Sequence, residues 1–143
     1  MKKRIFGRQL SRERDTRRAL FRSLVRALVE HGEIKTTKIK AKAVQPLVER
    51  LLSTAKKKSV SARRRVFAKL GNDKKTAKKI FEMADKVFKN RNSGFTRITN
   101  LGRRRGDNAE IVKLEFVEKL IVEEPKPEKK TKTKETKKKT EKK

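Results

Sequence analysis

The sequence predicts a two-layer α/β (α+β) domain of order α-β-α-α-α-β-β, with helices on one face of a small mixed sheet. Hydrophobic residues recur at helical spacing in four segments between about residues 15 and 90. A short, alternating, β-branched segment, Glu33 to Thr37, follows the first helix. Two further strand-like segments, Phe95 to Thr99 and Ile111 to Val117, flank a polar loop and predict a hairpin. Elements of this kind pack as a helical layer against a sheet.

The first 14 residues are predicted to form an extended basic arm. They are rich in basic residues with Gly7 among them, and arms of this composition become ordered on a partner. The cations that we expect to contact a polyanion are Lys2, Lys3, Arg4, Arg8, Arg12 and Arg14.

The first helix is predicted to begin after Asp15, in the N-cap position, and to run to His31, with Gly32 ending it. At about 100° per residue its apolar residues share one side, and arginines fall on the opposite side. The apolar residues are Leu20, Phe21, Leu24, Ala27 and Leu28, and the arginines are Arg14, Arg18, Arg22 and Arg26, with Arg17 beside them. The helix therefore has a core face and a cationic face that fits a phosphate backbone.

Three helices follow the first strand. Thr37 can cap the second, in which Pro46 costs roughly 3 kcal/mol and predicts a kink or a restart. A short third helix spans Ser59 to Leu70, and Asp73 caps a fourth that runs to about Asn90. The cationic candidates for ligand contact on these helices are Lys38, Lys40, Arg63 and Arg64.

The hairpin loop contains the tripeptide Arg105-Gly106-Asp107, which in an exported protein would indicate cell adhesion. A three-residue match has a high false-positive risk in a chain rich in Arg and Gly. Gly102 and Gly106 permit positive φ, and Asp107 or Asn108 can bond the loop backbone. The loop arginines can donate bidentate hydrogen bonds to phosphate. The candidate contacts of the hairpin are Arg97, Arg103, Arg104 and Arg105.

Charge decides the class of partner. The chain has 45 Lys and Arg against 17 Asp and Glu, a net charge of +28, and such a surface needs a polyanion. A membrane-binding protein would need aromatic anchors and a broad apolar face, but this chain has neither Trp nor Tyr. Nucleic acid is therefore the expected partner, with no membrane association. Phosphate and shape contacts should dominate over base stacking, because the core is expected to use Phe21, Phe67, Phe81, Phe88 and Phe116.

Composition also divides the chain into three parts. Residues 126–143 hold ten lysines and three glutamates, so residues 1–125 keep +21 of the net charge. A segment of this kind cannot bury apolar surface. We predict a basic arm over residues 1–14, an α/β domain over 15–122 and a Lys-rich tail over 123–143 that is disordered when free. The basic start is not followed by an apolar segment, so we expect the protein to stay in the cytoplasm.

Catalysis is not expected. The chain has no cysteine, and its single histidine, His31, lies at the end of the first helix, where packing or capping is the ordinary role. The carboxylates are interleaved with lysines and form no paired acids, nucleophile with a base, or metal cluster. We predict no enzyme activity, no cofactor and no metal.

Several motifs together resemble those of the bacterial large-subunit ribosomal protein seventeen family. The segments that carry the resemblance are GRQL at Gly7–Leu10, RRALFR at Arg17–Arg22, IKTTKIKAKAVQPLVERLL at Ile34–Leu52, GFTRI at Gly94–Ile98 and RRGDNA at Arg104–Ala109. They occur in the order and spacing of the family and span about residues 1–118.

The resemblance implies the α-β-α-α-α-β-β fold and a place on the large ribosomal subunit, bound to ribosomal RNA (rRNA) near the mouth of the peptide exit tunnel. It also implies neighbouring ribosomal proteins as partners. Our hypothesis is a structural constituent of the ribosome that binds and stabilises rRNA in translation, and that is not an obligate homo-oligomer. The alternative is a free-standing architectural DNA- or RNA-binding protein, which would need a dimer interface or a recognition element.

Overall fold

The computed structural model describes residues 8–118, which form four helices and one three-stranded sheet. In chain order the elements are α1 (Arg14–His31), β1 (Glu33–Thr37), α2 (Lys38–Ala55), α3 (Val60–Leu70), α4 (Lys74–Lys86), β2 (Thr96–Arg103) and β3 (Glu110–Phe116). The predicted α+β class and element order are confirmed. Lys2, Lys3, Arg4 and the predicted tail at 123–143 lie outside the described residues.

The sheet has the order β1-β3-β2, and both pairings are antiparallel. The expectation of a mixed sheet is therefore wrong. The β2–β3 hairpin makes those strands antiparallel, and β3 then inserts between β2 and β1. Strands β1 and β2, which run in the same direction, are consequently not paired with each other. Leu114 of β3 lies opposite Ile34 on one side and Ile98 on the other, which sets the register of all three strands.

One face of the sheet is buried against the helices. Val112, Leu114 and Phe116 of β3 alternate with more exposed neighbours and join the core cluster. The rings of Phe88 and Phe95 are fully buried and pack edge to face, with centroids 5.1 Å apart. Three of the phenylalanines assigned to the core from sequence are only partly buried at its margin, namely Phe21, Phe67 and Phe81. The buried core cluster draws side chains from all four helices and from β3, and α2 contributes the largest share.

The ends of α1 and α2 differ in part from expectation. Helix α1 begins at Arg14, so Asp15 lies in its first turn, where its charge is favourable to the helix dipole. Helix α2 continues through Pro46 without a restart. Val48, Leu51 and Leu52 are at most 4% exposed on its core face, and burying a side chain of this size contributes about 1.5–3 kcal/mol. Three such side chains offset the cost of the proline.

Asp73 caps α4 as predicted, and Ser59, predicted as the first residue of α3, is its N-cap instead. Ser59 accepts the backbone N–H of Ala62, and Asp73 accepts the backbone N–H of Thr76. Helix α4 ends at Lys86, one turn earlier than predicted, because the chain turns there to bring Phe88 into the core.

Two side chains, one on α2 and one at its C-cap, hold the connection from α4 to β2. The Nζ of Lys56 donates to the carbonyl oxygens of Lys89 and Arg91, at 3.3 and 2.6 Å. Two turns earlier, the carboxylate of Glu49 accepts from the N–H groups of Gly94, Phe95 and Thr96 (3.1, 3.2 and 3.0 Å) and from the Thr96 hydroxyl (2.9 Å). The carboxylate therefore fixes where β2 begins.

The hairpin is longer and its loop shorter than predicted. Strand β2 continues to Arg103, with a bulge between Asn100 and Gly102. The Oδ1 of Asn100 accepts the N–H of Gly102, whose φ of +111° suits glycine. Residues 104–109 alone form the connection. Residues 100–103 pair with β3, but their side chains are exposed and show no apolar alternation. The sequence pattern therefore did not predict that they form part of the strand.

Candidate nucleic-acid interface

The tip of the β2–β3 hairpin presents arginines in a shaped turn. The guanidinium of Arg104 forms two contacts with the carboxylate of Asp107, at 3.1 and 2.5 Å, and this ion pair lowers the pKa of Asp107 to about 2. Asp107 also accepts the N–H of Ala109, which closes the turn as predicted. Arg105 is exposed in the turn. Arg103 ends β2 instead of lying in the loop, which corrects the expectation of three loop arginines.

The first turn of α2 lies against this end of the hairpin. The Nζ of Lys38 is 2.6 Å from Oε2 of Glu110 at the start of β3. The hydrogen bond from Lys38 lowers the pKa of Glu110, and the charges of Arg103 and Lys42 lower it further. Glu110 is thus surrounded by three cations, and the local charge stays positive. Sequence reasoning missed Lys42, although its position one turn after Lys38 places both on one side of the helix.

The arginine row of α1 divides into two halves. Arg14 and Arg18 both approach Asp15, at 3.3 and 3.4 Å, and their side chains are 71% and 60% exposed. Exposed pairs of this kind contribute little to stability. These two cations therefore remain accessible to a phosphate backbone.

The second half of the row contacts the α3–α4 junction. Arg26 is 2.8 Å from the carboxylate of Asp73, the cap of α4. The Nε of Arg22 donates to the carbonyl of Lys69 at 3.2 Å, and its guanidinium lies so near Gly71 that an added Cβ would be 2.9 Å away. Arg22 and Arg26 thus connect α1 to the next helices, and their charges are partly engaged within the protein.

The remaining candidates lie at separate places. Arg17 and Lys40 are half-buried, and Arg8 and Arg64 are exposed. The Nη1 of Arg12 donates to the carbonyl of Leu10 at 2.9 Å, in a turn where Leu10 and Ser11 both have positive φ. The guanidinium of Arg63 lies 5.9 Å from the ring centroid of Phe81.

Arg97 belongs to the open face of the sheet, where the charges are balanced. Lys113 lies between Glu33 and Glu115, with its Nζ 3.2 and 2.7 Å from their carboxylates. The hydrogen bond from Lys113 is the main cause that lowers the pKa of Glu115. The charge of Arg97, the cross-strand partner of Glu115, makes a smaller contribution in the same direction. This face is therefore less attractive to phosphate than the hairpin tip.

The described part of the chain offers neither a metal site nor a membrane-spanning segment. Among residues 8–118, the side chains of His, Asp and Glu form no group of three or more that could hold a metal ion. No helix in that range is long and apolar enough to cross a bilayer.

Comparison with known proteins identifies the family. The family described as Ribosomal protein L17 matches residues 20–117. The large ribosomal subunit protein bL17 of Persephonella marina is 47% identical over 119 residues, covering 82% of this chain and 96% of the relative. The same-named proteins of Chloroflexus aurantiacus and Hyphomonas neptunium are 46% and 39% identical, covering 82% and 83% of this chain and 100% and 84% of those relatives. With a match over most of its length, this chain belongs to the ribosomal protein L17 family.

Proposed function

We propose that this protein binds and stabilises rRNA within the large ribosomal subunit. Membership of the L17 family makes it a structural protein of the large subunit of the cytoplasmic ribosome, and not an enzyme. The finer statement, direct binding to rRNA, rests on the charge and geometry of residues 8–118 together with the net charge of +28.

One observation carries the proposal: the hairpin tip and the start of α2 bring five cations together around two carboxylates. The two carboxylates, Asp107 and Glu110, each already contact a cation. The five cations are Lys38, Lys42, Arg103, Arg104 and Arg105. A surface with this excess of charge, and with guanidiniums that can bond two phosphate oxygens at once, fits an RNA backbone.

The exposed half of the α1 row extends the proposed contact surface. Arg14 and Arg18 offer guanidiniums one turn apart, and Arg8 and Arg12 precede them in the chain. Most contacts should be to phosphate and ribose, because the wide, shallow minor groove of RNA is read by shape. Arg22 and Arg26 have a second role in this proposal: they hold α3 and α4 in place while their remaining donors face the ligand.

Two further parts of the proposal rest on the resemblance stated from sequence. They are a location near the mouth of the peptide exit tunnel, beside neighbouring large-subunit proteins, and function without an obligate homo-oligomer. The core cluster of residues 8–118 is built from this chain alone, which supports the second of these parts.

Co-sedimentation tests the proposed function. The full chain, expressed with an affinity tag in bacteria, should sediment with large ribosomal subunits in moderate salt and should be released from them as salt rises. A charge-reversal variant, with Arg103, Arg104 and Arg105 changed to Glu, should be recovered with large subunits in smaller amount. Recovery with DNA or with membranes instead of subunits would contradict the assignment.

A further inference from the structure

A groove between α3 and α4 lies apart from the hairpin tip. Phe67 of α3 and Phe81 of α4 line it, and their ring centroids are 6.3 Å apart. Both rings are only partly buried, and the groove has a volume of about 430 Å³. In a chain with seven phenylalanines and no other aromatic residue, two rings that remain accessible side by side form a specific apolar surface.

Cations surround this apolar surface. Arg63 lies over the Phe81 ring, and Lys74, Lys78 and Lys86 of α4 line the same groove. An anionic ligand that also has a flat apolar part would meet both kinds of surface at once. Arginine adds a second planar surface, because a guanidinium can stack on an aromatic ring or on a base.

The two carboxylates in the groove are already close to lysines. The Oδ1 of Asp85 is 2.8 Å from the Nζ of Lys58, and the Oε1 of Glu82 is 4.0 Å from the Nζ of Lys78. The four cations that line the groove outnumber these two acids. The net charge therefore favours an anion.

The size of the groove decides between two anionic occupants. An acidic amphipathic helix would need anchors at i, i+3, i+4 and i+7 along an extended apolar stripe. Here the exposed side of α4 beside Phe81 carries lysines at 74, 75, 78 and 79, so the apolar surface does not continue. A volume of about 430 Å³ suits a single small molecule or nucleotide better than a helix.

We propose that the α3–α4 groove binds one unpaired nucleotide of rRNA. Its base stacks against Phe67 and Phe81, and its flanking phosphates contact Lys74 and Lys78. The inference rests on the proposed function, since it assigns a second, local mode of contact to the same RNA partner. It also assigns a role to two phenylalanines that the core does not fully cover.

Paired substitutions in the full chain test the stacking. The double variant Phe67→Leu, Phe81→Leu keeps apolar volume and removes both rings, so binding to purified large-subunit rRNA should weaken about tenfold. The dependence of affinity on salt should keep its slope, because no phosphate contact is lost. Phe21→Leu, which changes a partly buried ring on α1, is the matched control and should bind as the unaltered chain does. Equal affinities for the double variant and the control would overturn the proposal.

A separate variant tests the lysines that line the groove. Lys74→Ala combined with Lys78→Ala should reduce the slope of log affinity against log salt by roughly 0.7 per lost contact. An unchanged slope would show that these lysines face solvent, against the proposal.

A photo-crosslinking amino acid at position 81 identifies the occupant in assembled large subunits. Crosslinks to rRNA are expected. Crosslinks to a protein would show that a protein occupies the groove instead of a nucleotide. The absence of any crosslink in subunits that contain the variant would show that the groove is unoccupied, and either result would overturn the proposal. If the variant at position 81 does not assemble into subunits, the photo-crosslinking amino acid is placed at position 78 and the same outcomes apply. Failure of the unaltered chain to sediment with subunits is a separate result, which contradicts the proposed function itself.

Discussion

The carboxylate of Glu49 binds both the backbone N–H and the side-chain hydroxyl of Thr96, at 3.0 and 2.9 Å. Its other oxygen accepts the N–H groups of Gly94 and Phe95. Phe95 and Thr96 are buried, so these donors have little access to water if the carboxylate is removed. A single side chain on α2 thereby determines where the hairpin leaves the helical layer.

Replacement of Glu49 should destabilise the fold. Glu49→Ala leaves buried N–H groups without an acceptor, and we expect the free energy of unfolding in urea to fall by about 2–3 kcal/mol. Glu49→Gln, which keeps one acceptor oxygen, should cost less. Glu30→Ala removes an exposed glutamate from α1 and should stay within about 0.5 kcal/mol of the unaltered chain. A loss at Glu49 no greater than that at Glu30 would contradict the anchoring role.

Asp73 should make stability depend on pH. Hydrogen bonds from the Thr76 hydroxyl and N–H, with a contribution from Arg26, hold the pKa of Asp73 below its ordinary value of 3.8. A lowered pKa in the folded state means that the stabilisation is fully present above about pH 4 and is lost as pH falls towards the folded-state pKa. Asp73→Asn keeps a capping oxygen and removes the charge, so urea unfolding between pH 3 and 7 should show a weaker pH dependence at the acidic end. Identical pH profiles would exclude this linkage.

Arginines of the α1 row should separate into binding and structural residues. Arg18→Ala should weaken rRNA binding and reduce its salt dependence with little change in stability, because its partner Asp15 is 75% exposed whereas Asp73, the partner of Arg26, is 16% exposed. Arg26→Ala should in addition lower the free energy of unfolding by about 1 kcal/mol, since Asp73 loses its partner. Denaturation together with a binding titration at several salt concentrations measures both quantities. Equal stability losses for the two variants would refute the division.

Arginines at the hairpin tip should contribute unequally to binding. Replacing Arg103, Arg104 and Arg105 together with Ala should reduce the salt slope by roughly one unit per lost phosphate contact. Among the single variants, Arg104→Ala should have the smallest effect, because Asp107 already binds its guanidinium. Asp107→Asn should release Arg104 and increase the slope. A larger loss for Arg104 than for Arg105 would show that RNA displaces Asp107.

The α+β class, the element order, the charge of the surface and the family could all be predicted from the chain alone. Local rules suffice for these properties: the Ser59 and Asp73 caps, the Gly32 terminator and the alternation in β3 depend on near neighbours in the chain. The family resemblance likewise depended on motifs that can be read along the chain.

Strand pairing and the partners of individual cations could not be predicted in this way, because they depend on how distant segments pack. The place of β3 between β1 and β2 depends on contacts across some 80 residues, which no local pattern records. The same holds for Arg26 with Asp73 and for Lys38 with Glu110. Helical spacing placed the α1 arginines on one face. Only packing could show which of them contact α3 and α4 and which remain exposed, because charge pairing depends on distance in space.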